Sequence, residues 1–182
     1  MNLLKSFLVV TTLLFLTILI AVAVPDKADL GPFVATFDMG VPAGSYQTEI
    51  NPPIQLKDHN DYWLRVSSNN VQLGKDFIDV YIDDYGKTID VSTNRLNEIL
   101  SDDMDMWKSA ARIEYVPVAS VGGRPAVAAK VINVTSGETN SYEAVYSPDG
   151  VGNSGSIIST ISSFYSEKET NAFLEHLQIR RQ

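Results

Sequence analysis

Four short runs of apolar residues, separated by turns that contain glycine or proline, fill the chain between residues 112 and 164. The first run, residues 112–118, alternates apolar with polar positions and leads to Gly122-Gly123, a pair that can supply the positive φ angles of a tight hairpin. The next run, Pro125 to Val134, is apolar at nearly every position, as in a strand that is covered on both faces. This pattern predicts an antiparallel sheet in the second half of the chain.

The same stretch ends with two further strands and a helix. The strands are predicted over residues 141–147 and 157–164, and Pro148-Asp149-Gly150 between them is a turn sequence. Ser166 and Glu169 have the spacing of a capping box, in which the two side chains satisfy backbone N–H groups at a helix start. We therefore expect a closing helix to begin immediately after Ser166.

The first half of the chain has weaker patterns. Residues 33–37 and 62–67 alternate as strands, and residues 77–83 alternate most regularly, with Asp84 to Lys87 as the predicted turn that ends this strand. A helix is predicted from Thr93 to Trp107, because its apolar residues fall on one face. These residues are Leu96, Ile99, Leu100, Met104 and Trp107.

The second half resembles the C-terminal part of PsbP-like domains. The resemblance covers residues 76–179 and rests on the order of a strand, a Gly-Arg turn, an apolar strand, an aromatic-rich strand and a final helix. The helix ends with Thr170, Phe173, Leu174, Leu177 and Ile179 at the positions of the family's ending. In the first half Tyr62-Trp63 is a poor match to the family's entry motif.

The resemblance implies a fold shared with Mog-type Ran-binding proteins. That fold is α+β, with an antiparallel β-sheet flanked by helices in an α/β/α sandwich. It does not transfer a function, because the family includes photosystem accessory proteins and many uncharacterised secreted domains. What it implies for this chain is a non-catalytic domain that binds a protein or cell-envelope partner.

The N-terminus has the pattern of a secretory signal peptide. Lys5 precedes an apolar run from Phe7 to Val24, and Ala21-Val22-Ala23 is a cleavage-site sequence. The alternative is an uncleaved membrane anchor over residues 7–24, since the run is about long enough to span a bilayer. We predict a signal peptide at 1–23, a linker at 24–32 and a single domain at 33–182.

Charge and cysteine content narrow the environment and the partners. The formal net charge is −8 and there is no cysteine. An acidic chain is a poor partner for nucleic acid or for an anionic membrane surface. An exported protein without disulfides fits a prokaryotic or archaeal cell exterior better than a small eukaryotic secreted scaffold.

No motif for catalysis or cofactor binding occurs in the sequence. His59 and His176 are the two histidines, and neither has a partner at metal-ligand spacing. There is no cysteine nucleophile, no G-x-S-x-G, no P-loop and no G-x-G-x-x-G. We therefore expect no catalytic residue and no bound cofactor.

Two acidic clusters leave an alternative open. Asp79, Asp83 and Asp84 lie at the end of a predicted strand, and Asp102, Asp103 and Asp105 lie late in the predicted helix. Such clusters can bind Ca²⁺, but neither fits the EF-hand loop pattern, so solvated charge is the favoured interpretation. The cluster at 102–105 also opposes the helix dipole, which is the one hint of a ligand.

Asn133-Val134-Thr135 is the single sequon for N-glycosylation. Its position in a predicted buried strand argues against modification, unless Asn133 lies at the strand end beside the turn at Gly137.

Two functions from different classes remain. The first is non-catalytic binding of a protein or envelope partner. The second is a hydrolase or lyase that works through aspartate and glutamate pairs, or else a Ca²⁺-binding accessory role. A concave pair of carboxylates with raised pKa would favour catalysis, whereas an exposed apolar patch without such a pair would favour binding.

Overall fold

The computed structural model describes residues 26–42, 44–69 and 76–182. The predicted signal peptide or anchor at 1–23 lies outside the described residues. Among the residues that are described, no helix is long and apolar enough to cross a membrane.

Ten strands and two helices follow one another along the described chain. In chain order they are β1 (Asp26–Asp29), β2 (Phe33–Phe37), β3 (Tyr46–Gln55), β4 (Asn60–Ser68), β5 (Phe77–Asp90), α1 (Thr93–Asp105), β6 (Ala111–Val121), β7 (Arg124–Asn133), β8 (Thr139–Tyr146), β9 (Ser154–Ser163), α2 (Glu167–His176) and β10 (Gln178–Arg181). The stretch 24–32, predicted as a linker, contains β1.

The strands form two antiparallel sheets. The large sheet has seven strands in the order β3-β4-β5-β9-β8-β7-β6, and the small sheet has three in the order β1-β2-β10. In the large sheet, β5 pairs with β9, so the N-terminal and C-terminal halves of the chain meet at its centre. The small sheet joins the two ends of the described chain, because β10 pairs with β2.

Each face of the large sheet has its own core. The inner face, which carries Leu64 and Val80, packs against the small sheet and α2, and Phe33 lies edge-on to Tyr62 at 5.1 Å between ring centroids. The outer face packs against α1 through a second cluster that includes Leu100 and Val145. The helix lies over β7 and β8. The layers are therefore small sheet with α2, large sheet, and α1.

The predicted α/β/α sandwich is wrong. Of the described residues, 57% are in strands and 15% in helices, and the structure has two antiparallel sheets rather than one sheet flanked by helices. A sheet occupies most of the layer in which the prediction placed a helix. Two strands of the small sheet, β1 and β10, are short and polar, so neither has an alternation that can be recognised in the sequence.

Local signals in the sequence correspond closely to the elements observed. Gly122 and Gly123 both have positive φ and connect β6 to β7. The hydroxyl of Ser166 accepts from the Glu169 N–H, as in the predicted capping box, but the Glu169 carboxylate accepts from the Ser166 hydroxyl rather than from a backbone N–H. In contrast, β5 does not end at Asp84: it continues to Asp90 through an irregularity in its pairing with β9.

Candidate acidic cleft

An open cleft lies on the outer face of the large sheet beside α1. The helix lies over β7 and β8, and its C-terminal end borders the cleft together with outward residues of β5 and β9. The alternation of β5 turns Ile78, Val80 and Ile82 into the inner core. The intervening residues therefore face outwards and form the floor of the cleft.

The cleft has a volume of about 480 Å³. Its walls combine carboxylates with aromatic and sulfur-containing side chains. They are Phe77, Asp79, Tyr81, Asp83, Asp103, Met104, Met106, Trp107, Glu143, Thr160, Ser162 and Phe164. We refer to this group as the acidic cleft.

An ion pair fixes one side of the acidic cleft. Arg65 donates Nε–H and Nη2–H to the two carboxylate oxygens of Asp79, each at 2.7 Å. The guanidinium also lies over two rings, with its carbon 4.3 Å from the centroid of Phe77 and 5.0 Å from that of Trp63. Bidentate pairing and stacking together hold both charges in place, so Asp79 is already neutralised by a protein group.

Glu143 of β8 lies at the base of the cleft. It is 4% exposed, and its two oxygens accept hydrogen bonds from the hydroxyls of Ser141 and Ser162. Burial raises the pKa of Glu143 to about 7; the two hydroxyls oppose the rise, and the charges of Asp103 and Asp79 add to it. A buried carboxylate without a cationic partner is costly to ionise, which is why this group holds its proton to unusually high pH.

Asp83 and Asp103 both line the cleft, and the charge of Asp103 acts on Asp83. The pKa of Asp83 is raised to about 6, chiefly by burial; His59 opposes the rise, and the carboxylates of Asp61 and Asp103 contribute to it. Burial also raises the pKa of Asp103. The Nε2 atom of His59 is 3.7 Å from Asp83, and its Nδ1 atom is 2.9 Å from Asp58. The cleft thus brings together three carboxyl groups with raised pKa values, Asp83, Asp103 and Glu143.

A smaller pocket of about 230 Å³ continues the acidic cleft towards β3. It shares Tyr81 with the cleft and is also lined by Ile54, Asp61 and Trp63. The Oδ1 atom of Asp61 is buried and has no hydrogen-bond partner among the described residues. Burial raises the pKa of Asp61 as well. The two pockets together form an elongated, acidic surface.

The structure brings together only some of the acidic residues singled out in the sequence. Asp79, Asp83 and Asp103 line the acidic cleft. Asp84 points to the inner side, where its carboxylate accepts from Arg181 at 2.8 and 3.0 Å, and this pairing lowers the pKa of Asp84.

Asp102 and Asp105 are exposed on α1, and Asp105 pairs with Lys108. Within the described part of the chain, no three His, Asp or Glu side chains are placed to hold a metal ion. The Ca²⁺ site considered for these aspartates remains a prediction.

The other single residues considered lie away from the cleft, except for His59. His176 is at the exposed end of α2, where its Nδ1 atom is 2.8 Å from the carbonyl oxygen of Ala172. Asn133 is the last residue of β7, and its side-chain oxygen accepts from the N–H groups of Thr135 and Ser136. The sequon therefore lies at a strand end beside a turn, and its modification remains a prediction.

Glu143 and Arg65 were not recognised from the sequence. Glu143 alternates with aromatic and small residues in a strand, so the pattern indicates a solvent-facing charge rather than a buried one. Its burial arises because α1, which precedes β6, crosses this part of the sheet. The sequence offered one signal for the burial of Glu143: the residue lies between Ser141 and Ala144 in a strand rich in small and hydroxyl side chains.

No family model, curated protein or solved structure matches this chain. The function must therefore be argued from the geometry alone.

Proposed function

We propose that this protein is an extracytoplasmic binding domain whose acidic cleft receives a positively charged segment of a partner protein. The observation that carries the proposal is the convergence of Asp83, Asp103 and Glu143 in one cleft, where the described residues place no cation beside Glu143 or Asp103. The export of the protein rests on its N-terminal sequence, with Lys5, the apolar run and the A-x-A site.

The chemistry of the cleft favours an organic cation. Lysine and arginine side chains would form charge-assisted hydrogen bonds with the carboxylates, which are about twice as strong as neutral ones. The aromatic walls add a second source of affinity, since Trp107 and Tyr81 can contact the cation or its alkyl stem. The elongated shape, with Asp61 in the adjoining pocket, favours a polypeptide segment over a single small amine.

The affinity should depend on pH in a defined direction. A bound cation stabilises the ionised carboxylates, and their pKa values are raised in its absence. Binding therefore requires loss of protons at low pH, and we expect it to strengthen from about pH 5 to about pH 8.

A short lysine-rich peptide, titrated into the mature protein by calorimetry, tests the proposal. We expect binding that weakens at high ionic strength. The variant Glu143→Gln should bind the peptide about tenfold more weakly at about pH 8, and as well as the wild type at about pH 5, where Glu143 is protonated.

The matched control is Glu138→Gln, which removes an exposed carboxylate outside the acidic cleft. It should leave binding unchanged at both pH values. Equal losses for Glu143→Gln and Glu138→Gln would show that the peptide responds only to overall charge, and the cleft would not be the binding site.

Acid–base hydrolysis is the second candidate, and one observation favours it. Glu143 and Asp79 occupy the same row of the sheet on either side of Ser162. Because adjacent strands lie about 4.8 Å apart, their backbones are roughly 9.6 Å apart. Inverting glycosidases also use two separated carboxyl groups, one of which has a raised pKa.

Binding is favoured over catalysis because Asp79, the second carboxylate of the pair, is held through both of its oxygens by Arg65. Incubation with chromogenic glycosides separates the two candidates. Hydrolysis that is lost in both Glu143→Gln and Asp79→Asn would support catalysis. Peptide binding without turnover would support the binding role.

A further inference from the structure

A second large cavity lies on the inner side of the large sheet, near β10. Its volume is about 530 Å³, within the range of about 300–1,000 Å³ that is typical of small-molecule sites. One wall is apolar and is formed by Val121, Ile157, Leu177 and Ile179. We refer to this space as the inter-sheet cavity.

Close backbone packing fixes one end of the inter-sheet cavity. Gly122 donates its N–H to the carbonyl oxygen of Leu174 at 2.8 Å. A side chain at Gly122 would place its Cβ 2.1 Å from the carbonyl oxygen of Leu177. The β6–β7 turn therefore packs directly against the end of α2, so this end of the cavity wall is closely packed.

Three arginines line this cavity in a protein with an overall negative charge. Arg181 is balanced by its bidentate pair with Asp84. Arg124 and Arg180 have no carboxylate partner among the described residues: Arg124 donates to the Gly150 carbonyl oxygen at 2.9 Å, and Arg180 donates to Gln178 at 2.6 Å. Each guanidinium carries five N–H donors, so most of them remain available.

Asp149 is the one carboxylate among the described residues that line the cavity, and hydrogen bonds from nearby residues hold it in place. Asp149 accepts hydrogen bonds from the N–H groups of Ser156 and Ile157 and from the hydroxyl of Ser156. Its oxygens are therefore occupied. Together, the three arginines, Asp149 and the Arg181 partner Asp84 carry a net charge of +1.

The hydroxyl of Tyr146 supplies an independent observation. Tyr146 lines the inter-sheet cavity and is 1% exposed, and its hydroxyl has no hydrogen-bond partner among the described residues. Burial raises the pKa of Tyr146, and the positive charge of Arg124 opposes the rise, so the phenol oxygen lies within the field of that guanidinium. A buried hydroxyl without a partner is unfavourable, and in a native structure it calls for an acceptor.

We propose that the inter-sheet cavity binds an organic anion, with a carboxylate or phosphate head group against Arg124, Arg180 and the Tyr146 hydroxyl. The oxyanion accepts hydrogen bonds from the two guanidinium groups, which suit planar or tetrahedral oxyanions. It also accepts from the phenol, which satisfies the buried donor. The apolar body of the ligand packs against Ile157, Leu177 and Val121.

This site is separate from the acidic cleft. It lies on the opposite face of the large sheet and carries the opposite charge, so neither proposal depends on the other. A negatively charged ligand would be repelled by the acidic cleft and attracted by the inter-sheet cavity.

Octanoate, acetate and inorganic phosphate, titrated into the mature protein by calorimetry, test the inference. We expect octanoate to bind at least about tenfold more tightly than acetate, because its chain buries apolar surface. Comparison of phosphate with acetate identifies the preferred head group. Arg124→Gln and Tyr146→Phe should each weaken binding of the best probe about tenfold.

The matched control is Arg112→Gln. Arg112 lies at the other end of β6, is exposed and pairs with Glu114, so its removal changes the net charge equally without touching the cavity. Tyr146→Phe should also leave the melting temperature of the ligand-free protein unchanged or higher, since it removes an unpartnered hydroxyl.

Three results would overturn the inference. The first is the absence of binding by all three probes. The second is binding that survives in Arg124→Gln, or that is lost equally in Arg112→Gln. The third is a marked fall in melting temperature for Tyr146→Phe without any probe, which would show that the hydroxyl is already satisfied inside the protein.

Discussion

Replacement of Glu143 by glutamine should change how the stability of the protein depends on pH. In the folded protein Glu143 keeps its proton up to about pH 7, whereas in the unfolded chain it releases the proton near the ordinary pKa of 4.5. Between these pH values the folded state binds more protons than the unfolded state. The free energy of unfolding therefore falls as the pH rises through this window.

The size of the effect follows from the two pKa values. The difference between about 7 and 4.5 corresponds to about 3 kcal/mol of lost stability above pH 7. Because Glu143 is 4% exposed, solvent does little to screen this effect. Glutamine cannot ionise, so Glu143→Gln avoids the loss. The hydroxyls of Ser141 and Ser162 can rotate to suit the amide, which limits the cost of the substitution itself.

Urea unfolding, followed by tryptophan fluorescence across the pH range, measures the effect. At about pH 5 the two proteins should differ by no more than about 1 kcal/mol, and at about pH 8 the variant should be more stable by about 3 kcal/mol. Asp83, whose pKa is raised to about 6, adds a dependence of the same sign to both proteins, so the comparison isolates Glu143. The control Glu138→Gln should follow the wild type.

A difference between Glu143→Gln and the wild type that is the same at every pH would refute this reasoning. It would show that Glu143 is ionised in the folded protein at low pH, or that its hydrogen bonds rather than its charge determine the stability. A variant that is less stable than the wild type at about pH 8 would have the same meaning.

Two further predictions concern packing. Gly122→Ala should lower the melting temperature strongly and loosen β10, because the new Cβ would meet the Leu177 carbonyl oxygen. Gly123→Ala should cost only about 1–2 kcal/mol, because Gly123 has a positive φ but open space around it. Similar melting temperatures for the two variants would contradict the close approach at Gly122. Phe173→Ala should cost about 3–5 kcal/mol in chemical unfolding, since Phe173 is fully buried against Phe37, and a loss below about 1 kcal/mol would contradict its role in the inner core.

The sequence was most informative where the chemistry is local. Ser166 was identified as a helix cap because a hydroxyl at that position satisfies a nearby backbone N–H group, and it caps α2 in the structure. The Gly122-Gly123 turn was recognised for a similar reason. Each of these features depends on residues within a few positions of one another, so no knowledge of the fold was required.

The small sheet could not be predicted because its pairing is distant in the chain. Residue 179 in β10 pairs with residue 35 in β2, and no local pattern records such a contact. The sequences of β1 and β10 are mainly polar, since these strands flank β2 and only part of each is buried. The layer was therefore assigned to a helix, which is the element that the closing amphipathic pattern does show.

The composition of β7 nevertheless indicated which part of the large sheet is covered on both faces. In β7, Val127, Ala129 and Val131 belong to the outer core, whereas Ala126 and Ala128 pack against the inner core, in agreement with a run that is apolar on both faces. Such a strand requires cover on both sides. The helix α1 provides the outer cover over this half of the sheet.

The pattern of apolar and polar residues is different in β5, and this difference determines where the cleft lies. The inward residues of β5 are aliphatic and buried, but its outward positions are occupied by Phe77, Asp79, Tyr81 and Asp83. A helix packed over these positions would bury Asp83, whose pKa is already raised, at a cost of several kcal/mol if this carboxylate stays charged. The chain instead lays α1 over β7 and β8 and leaves an open cleft beside the outward residues Phe77 to Asp83 of β5. The same alternation that makes β5 a half-buried strand therefore makes its outer face the place where a charged partner can be received.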